Sequence, residues 1–331
     1  MSMKKYMCRT RWLLVTGLLL VGAPEAVAQN YPTRPVTIVV TTAAGGITDL
    51  VARAIGQRLS QSWGQTVIIE NKGGAGHGIG AASVAKAPPD GYTLMVTEGG
   101  TIVVNPNLYA KGKLFYDAEK DFVPISGLAR YYLALVAGPS LPALTIEDLI
   151  TLAKKKPGEI SYGTSGIGSA THMSMALFEN MTGVNLVPVH YRGAAPAMND
   201  LLGGHISVMW LSTTLSLQPF RAGRIKMFGV GSLKRLSQAP DVPTVAESGL
   251  PGYESAAWIG LFAPSGLSHE IETKINADVQ QILADPVFRE KLLAPQMLEP
   301  MTGSPEQFAE YIRLDMQKWS KIIRDQKISI D

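Results

Sequence analysis

The sequence predicts an α/β protein with two lobes, each a mostly parallel sheet flanked by helices, and a hinge of two crossing strands. Short β-branched runs alternate with helical patterns from residue 36 onward, and the same alternation restarts near residue 145. Two apolar stretches, residues 131–137 and 256–263, bracket this second block. Because strand–helix alternation is typical of parallel sheets with right-handed crossovers, each block is expected to form its own lobe.

Local patterns predict the elements of the first lobe. Apolar residues recur at the helical period over residues 49–60, and Asp49 is a candidate N-cap or first-turn acid. The same period predicts mostly helical structure over residues 270–283, 286–293 and 305–326. The predicted strands of this lobe cover residues 36–40, 67–69 and 93–97. The first lobe is expected at residues 29–129 plus 255–331.

The second lobe is expected at residues 130–254. Its first helix opens with Thr145 and two acids and stops before Pro157-Gly158, which are start and stop signals. Its predicted helices cover residues 145–156, 169–181 and 194–202. Its predicted strands, besides the crossing strands, cover residues 160–163, 186–189, 206–211 and 227–230.

The first 28 residues have the pattern of a cleaved secretory signal peptide. Four basic residues and no acid precede residue 12, an apolar run follows, and Ala26-Val27-Ala28 forms a small-x-small cleavage site. The apolar run has about a dozen residues, fewer than the ~20 that span a bilayer. We therefore expect export to the periplasm and no direct insertion into a membrane.

Composition without this leader excludes several classes of function. Lys+Arg falls from 30 to 26 and Asp+Glu from 27 to 26, so residues 29–331 have a formal charge of zero. No basic excess remains to attract nucleic acid. The single cysteine, Cys8, lies in the leader, so the exported chain has no disulfide. The five histidines lack metal-ligand spacing, and we expect no metal, no cofactor and a monomer.

Two glycine-containing stretches, "TTAAGGITDL" at residue 41 and "YGTSGIGSATH" at residue 162, each follow a predicted strand and open a helix. The first N–H groups of a helix have no internal partner and carry a partial positive charge, so such a turn can hold an anion without Lys or Arg. Two such turns, one per lobe, predict a clamp for a small carboxylate, although each alone could be a capped tight turn. The candidate binding residues are Ala44, Gly45, Gly46, Thr48, Asp49, Thr164, Ser165, Gly166, Gly168, Ser169 and His172.

Three further residues are candidates for the same cleft. Thr97 and Glu98 end a predicted strand; a second ligand carboxylate beside Glu98 would be disfavoured, which favours a ligand with a donor group there, whereas the alternative is a solvated rim residue. Trp210 ends another strand and is either an apolar wall of the cleft or a core residue. His172 either lines the pocket or is a packed histidine, and Asp49 either caps its helix or contacts the ligand.

Other readings of the glycines and serines are weaker. The run Gly73–Ala81 matches a dinucleotide fingerprint formally, but it does not open directly from a strand, and a loop bordering the cleft is the preferred interpretation. The sequence has no nucleophile elbow and no phosphate-binding loop of the Walker type. A secreted hydrolase that uses Ser165 or His172 is the alternative to a protein without catalysis.

The chain from residue 31 onward resembles the extracytoplasmic solute receptors of tripartite tricarboxylate transporters, the Bug-type periplasmic binding proteins. The resemblance lies in "YPTRPVTIVV", "AAGGITD", "VIIENKGGAG", "PPDGYTLMV", "NPNLY", "YGTSGIGSATHM", "PVHYRGAAPAMNDLLGGHI", "PDVPTVAESGLPGY" and "FAPSG". It implies a two-lobed binding protein of type II-like fold that captures an organic acid, amino acid or aromatic acid and presents it to membrane permease subunits. Main-chain groups and waters at the two turns would hold the carboxylate.

Two departures from the family pattern bear on the ligand. The family usually has proline and an aromatic residue where this chain has Thr41-Thr42, which predicts a more polar cleft entrance. His77 stands in a loop that the family builds without histidine, and it introduces a group that could change charge near neutral pH. A ligand-sensing adaptor for a membrane sensor remains an alternative with the same pocket.

Overall fold

The computed structural model describes residues 31–110 and 112–330, so the predicted leader, residues 1–28, lies outside the described residues. The described residues form ten strands and ten α-helices. None of these helices is long and apolar enough to span a bilayer. The strands are β1 (Val36–Val40), β2 (Val67–Asn71), β3 (Thr93–Glu98), β4 (Phe122–Ala137), β5 (Ser161–Thr164), β6 (Val187–His190), β7 (Val208–Ser212), β8 (Lys226–Val230), β9 (Ala256–Pro264) and β10 (Glu299–Pro300).

The helices alternate with these strands and cover both faces of the sheet. They are α1 (Ile47–Trp63), α2 (Gly78–Ala85), α3 (Asn105–Leu108), α4 (Ile146–Lys155), α5 (Ala170–Thr182), α6 (Ala194–Gly203), α7 (Thr213–Arg221), α8 (His269–Ala284), α9 (Pro286–Phe288) and α10 (Pro305–Asp325). A π-helical turn, Gly100–Val104, leads into α3. A second π-helical turn, Arg289–Leu293, follows α9.

The sheet has two halves with the same strand order. The first half runs β2-β1-β3-β9-β4, and the second runs β6-β5-β7-β4 with β8 on the far side of β4. In each half three strands are parallel, and the fourth place holds an antiparallel strand. Residues 122–132 of β4 pair with β9, whereas residues 133–137 pair with β7 and β8. The predicted two-lobed α/β class is therefore confirmed, with β4 crossing between the lobes.

Helix starts follow the sequence signals closely. The Thr145 hydroxyl accepts a hydrogen bond from the Asp148 N–H at 3.1 Å, and Asp148 accepts one from the Thr145 N–H in return. Ser304 caps α10 in the same reciprocal way, with Gln307, whereas Ser169 and Ser268 cap α5 and α8 only by accepting a hydrogen bond from a main-chain N–H. By contrast, the N-cap residue of α1, Gly46, has no side chain to offer, so the first N–H groups of this helix remain available.

The apolar core has three parts. One lies under α1 and α8 in the first lobe, and another lies between the second half of the sheet and α6 and α7. The third is continuous across both lobes: it includes Met95 of β3, Phe178 of α5, and Trp319 of α10. Each of these three side chains is at most 5% exposed. Such burial stabilises by about 1.5–3 kcal/mol per large side chain, so α10 binds the two lobes together.

The structure differs from the predicted elements in several places. β4 begins at Phe122 and not at residue 131. The sequence does not predict the earlier start because Pro124 and Gly127 break the apolar pattern, and both lie next to bulges in the ladder with β9. The glycine-rich run is a loop only as far as His77, and its second half begins α2. Helix α7 and the helical segment 100–108 were not predicted. Pro219 lies inside α7, and α3 has only four residues.

Candidate ligand-binding cleft

A cleft opens between the lobes at the carboxyl ends of the parallel strands. It consists of two adjoining cavities, one of about 600 Å³ and one of about 400 Å³, which we call the larger and the smaller compartment. Both fall within the ~300–1,000 Å³ that is usual for small-molecule sites. The residues common to both compartments are Glu98, Ser165, Ser169, Ala170 and Gly193.

The N-termini of four helices converge on the larger compartment. Its lining includes Gly46 and Ile47 of α1, Ser169–Thr171 of α5, Gly193 and Ala194 of α6, and Ser212 and Thr214 of α7. Three of these helices have no side-chain cap, since neither Gly46, Gly193 nor Ser212 makes such a hydrogen bond. Among the described residues, no Lys or Arg lines either compartment. The groups in the larger compartment that can attract an anion are therefore main-chain N–H groups and hydroxyl groups.

The first predicted turn is held in place by Asp49. The Asp49 carboxylate accepts hydrogen bonds from the Gly45 N–H at 2.9 Å, from Arg53 Nε at 3.0 Å and from Asn71 Nδ2 at 2.9 Å. Burial alone would raise the pKa of Asp49, but these hydrogen bonds hold it below its usual value. Asp49 is the predicted first-turn acid, and its oxygens are occupied by the protein. Ala44 is exposed and lines neither compartment, unlike Gly45 and Gly46.

The second predicted turn also uses several of its N–H groups internally. The Gly166 N–H donates to Thr164 Oγ1 at 3.2 Å, and the Ser165 N–H donates to Thr171 Oγ1 at 2.8 Å. The Gly168 N–H donates to the side chain of His172 at 3.1 Å. The sequence analysis expects these N–H groups to hold an anion directly, whereas in the structure they donate to side chains of the protein. Because they are occupied, the available donors of this turn are those at the start of α5.

His172 supports this turn from behind and lines neither compartment. Burial, and to a smaller extent the neighbouring His190, lowers the pKa of His172 to about 4, so its ring is neutral near pH 7. Its Nδ1 accepts the hydrogen bond from Gly168, and therefore its Nε2 carries the proton. His190 forms a 2.8 Å hydrogen bond with Thr164 Oγ1, which is also buried. Both histidines thus position the turn.

Glu98 lies where the two compartments meet. Its Oε1 accepts a hydrogen bond from Thr48 Oγ1 at 2.8 Å, which joins the end of β3 to the first turn of α1. Thr97, by contrast, is buried and bonded to Thr41 and Thr101. Burial, together with the Glu98 carboxylate, raises the pKa of Tyr131 far above its usual value, so this phenol in the larger compartment stays protonated.

Of the two alternatives for Trp210 the structure supports the core residue and not the cleft wall, and it does not support the more polar cleft entrance that was expected. Trp210 is fully buried, stacks on Tyr253 at a centroid distance of 5.2 Å, and lines neither compartment, so it is a core residue. Thr41 is also fully buried, with a 2.6 Å hydrogen bond to Thr97, and neither Thr41 nor Thr42 lines a compartment, so they do not make the cleft entrance more polar. His77 does line the smaller compartment, where its Nδ1 lies 3.0 Å from Thr101 Oγ1.

The two lobes contact each other at Gly168. This glycine has φ +74°, and a Cβ there would lie 2.3 Å from Leu108 Cδ2 and 3.6 Å from Val104 Cγ1. Gly168 follows β5, whereas Leu108 and Val104 follow β3, so the contact joins the lobes next to the smaller compartment. A side chain at this position has no room in the conformation described here.

Sequence reasoning missed the contributions of α6, α7 and Tyr131. Gly193 has φ +112° and lies in the short turn between β6 and α6, and the same strand-to-helix rule that found the first two turns could have found it. Ser212 ends β7 and begins α7, but α7 itself was not predicted. Within residues 31–110 and 112–330, no three His, Asp or Glu side chains are close enough to hold a metal ion.

A two-lobed α/β shell with a polar cleft at the carboxyl ends of its strands is the architecture of a solute-binding receptor. The family model described as "Tripartite tricarboxylate transporter family receptor" matches residues 51–328. The chain belongs to this family, as its sequence resemblance predicts.

Relatives cover nearly the whole chain. Protein BugT of Bordetella pertussis is 31% identical over 96% of this chain and 97% of its own length. The structure of R. palustris Rpa4515 with adipate has 37% identity and a TM-score of 0.80, covering 90% of this chain and 99% of that one. The structure of MatC (Rpa3494) from Rhodopseudomonas palustris with bound malate has 31% identity and a TM-score of 0.76, covering 88% and 100%.

Proposed function

We propose that this protein is a periplasmic receptor that captures a small carboxylate between its lobes and delivers it to a tripartite tricarboxylate-type permease. The observation that carries the proposal is the convergence of four helix N-termini on a compartment without basic side chains. Each terminus contributes roughly 0.3–1 kcal/mol toward an anion, and more where the site is partly buried. The relatives solved with adipate and malate support a carboxylate ligand.

We assign the anion contacts to the free main-chain N–H groups at the starts of α1, α5, α6 and α7, with the hydroxyl groups of Ser212 and Tyr131 as further donors. The lobes in this proposal comprise residues 29–129 plus 255–331 and residues 130–254. A ligand that touches both lobes binds the closed form more tightly than the open form, and it shifts the equilibrium by that difference only. The closed form is then the one that a permease recognises.

A hydrolytic role has less support from the same residues. The Ser165 hydroxyl lies 3.1 Å from Thr171 Oγ1 and has no hydrogen bond to a histidine among the described residues. His172 uses Nδ1 to hold the Gly168 N–H, which leaves only a protonated Nε2. A serine nucleophile needs a base within hydrogen-bond reach, and neither residue provides that arrangement.

The proposal is tested by a thermal-shift screen of the protein without residues 1–28. The screen covers mono- and dicarboxylates, amino acids and aromatic acids, and product analysis checks that the ligand stays unchanged. We expect at least one carboxylate to raise the melting temperature and to be recovered intact. A screen in which no carboxylate raises it, or in which the ligand is converted, would overturn the proposal.

A pair of glycine variants then locates the site. Gly45 and Gly252 both have left-handed φ, +86° and +79°, and both have open space around an added Cβ. Only Gly45 lines the cleft. Gly45→Val should abolish the ligand shift, whereas Gly252→Val should lower the melting temperature of the free protein and keep the shift. Equal ligand shifts in both variants would place the site elsewhere.

A further inference from the structure

We infer that the natural ligand carries a protonated amine next to its carboxylate, and that Glu98 binds this amine. The inference rests on the proposed function and narrows its ligand class. Glu98 lines both compartments at their junction. None of the ion pairs among the described residues includes it. It is therefore a partly buried carboxylate without a cation, in a cleft otherwise suited to an anion.

The Glu98 carboxylate has hydrogen-bonding capacity left. An ionised carboxylate accepts about four hydrogen bonds, and the Thr48 hydroxyl supplies one to Oε1. The other acid of the cleft, Asp315, also accepts one such hydrogen bond, from Trp258 Nε1 at 2.7 Å, but it already has a cation near it, the Lys318 ammonium. Burial raises the pKa of Asp315, which makes it the weaker candidate for holding a cation. Glu98 is thus the acid of the cleft that has acceptor capacity left and forms no ion pair among the described residues.

The position of Glu98 relative to α1 sets the spacing of charges on the ligand. Thr48 is the second residue of α1, so Glu98 lies one hydrogen bond away from a helix start that would hold the ligand carboxylate. A second negative group beside Glu98 would be repelled, and an ammonium group would be attracted. The larger compartment offers donors and the junction offers an acceptor, a pattern that fits a carboxylate and an amine close together.

The two compartments therefore distinguish ligands by more than their acidic groups. A dicarboxylate without an amine is attracted by the helix N-termini but repelled by the charge of Glu98. Its amino counterpart is attracted by the helix N-termini through its carboxylates and by Glu98 through its ammonium group. The ligand class that follows is an amino carboxylate, with an N–H donor that can reach a carboxylate oxygen at about 2.7–2.9 Å.

The test compares ligand pairs that differ only by an amine, measured by isothermal titration calorimetry at pH 7. The pairs are succinate with L-aspartate, glutarate with L-glutamate, and adipate with L-2-aminoadipate. For at least one pair we expect the wild-type protein to bind the amino member at least tenfold more tightly. Glu98→Gln keeps an oxygen for the Thr48 hydroxyl but loses the charge, so it should weaken the amino member at least tenfold and strengthen the plain acid.

The matched control is Glu70→Gln. Glu70 lies in β2, forms an ion pair with Lys72 at 3.1 Å, and lines neither compartment. The Glu70→Gln variant removes the same charge from the same lobe as Glu98→Gln does, and it should leave the affinity ratio of every ligand pair unchanged. If Glu98→Gln fails to fold by circular dichroism, the wild-type ratios decide the question alone.

The outcomes separate this inference from the proposed function. If the plain acid binds as tightly as its amino counterpart in every pair that binds, or if a carboxylate without an amine is the only ligand found, the inference is wrong and the receptor function stands. An unchanged ratio in Glu98→Gln means that Glu98 only balances the helix charges, which also overturns the inference. If no carboxylate binds at all, the proposed function itself fails.

Discussion

Gly168 is the position where a single methyl group should prevent the two lobes from closing. Its φ of +74° and its closeness to Leu108 make Gly168→Ala a variant with two separate costs. The left-handed conformation costs an alanine roughly 1–2 kcal/mol, and this cost applies whether or not the lobes are closed. The second cost arises only when Leu108, from the other lobe, approaches the new methyl group.

The size of the second cost follows from the packing. A Cβ at 2.3 Å from Leu108 Cδ2 is far inside van der Waals contact, and Leu108 is only 2% exposed, so it has little room to move. Overpacking of this kind costs about 1–3 kcal/mol. On the hypothesis that the described conformation is the closed form, this cost falls on the closed form alone, and we expect the ligand Kd to rise roughly five- to 150-fold.

Gly183→Ala is the matched control for the first cost. Gly183 ends α5 in the same lobe with φ +68° and has nothing within 4 Å of an added Cβ. Calorimetric titration with the ligand found by screening should give an unchanged Kd for Gly183→Ala and a raised Kd for Gly168→Ala. Removing the obstacle should restore affinity, so Gly168→Ala in a Leu108→Ala background should bind like Leu108→Ala alone.

The reasoning is refuted if Gly168→Ala and Gly183→Ala bind the ligand equally well. It is also refuted if the loss in Gly168→Ala persists at full size in the Leu108→Ala background. Either result would mean that the contact at Gly168 does not belong to the form that holds the ligand.

Other predictions concern the supports of the two turns and one core residue. Asp49→Ala should lower the free energy of unfolding by about 1–3 kcal/mol in urea titration, because it removes the hydrogen bonds that the buried Asp49 carboxylate accepts from Gly45, Arg53 and Asn71; a change below 0.5 kcal/mol would contradict this. The pKa of His172 is lowered from 6.5 to about 4 by burial and by His190. Between pH 6.5 and about 4 only the unfolded chain takes up the proton, so the free energy of unfolding should fall by up to about 3 kcal/mol as the pH falls through this range. His172→Asn keeps an acceptor for the Gly168 N–H but does not titrate, so its free energy of unfolding should fall less. Equal pH slopes in the two proteins would refute this. Trp210→Phe removes a buried Nε1 that has no partner among the described residues, and it should leave the ligand Kd unchanged. A Kd that changes more than twofold would show that this side chain does reach the cleft.

Much of the fold could be predicted because its signals are local. β1 is a continuous β-branched run, as expected of a strand buried on both faces, and the capping box at Thr145 marks the start of α4. The first half of β4 lacks such a signal. Pro124 and Gly127 belong to a strand only because β9, more than 130 residues later, pairs with them around two bulges. That partner decides the conformation, and no window of local sequence contains it.

The site also has features that local sequence predicts and features that it does not. Strand-to-helix turns could be located because the carboxyl ends of parallel strands share one edge, which brings Gly45 and Ser165 to a single compartment. Which N–H groups remain free could not be predicted. The donors of Gly166 and Gly168 are occupied by Thr164 and His172, and that depends on side-chain positions that only the packed structure defines.

The core that spans both lobes has a consequence for how the chain is made. Met95 and Phe178 are both synthesised well before Trp319, which completes the cluster that the three side chains share. A chain still being synthesised therefore cannot complete this core until α10 has left the ribosome. The packing of α10 is therefore the step that completes the junction between the lobes.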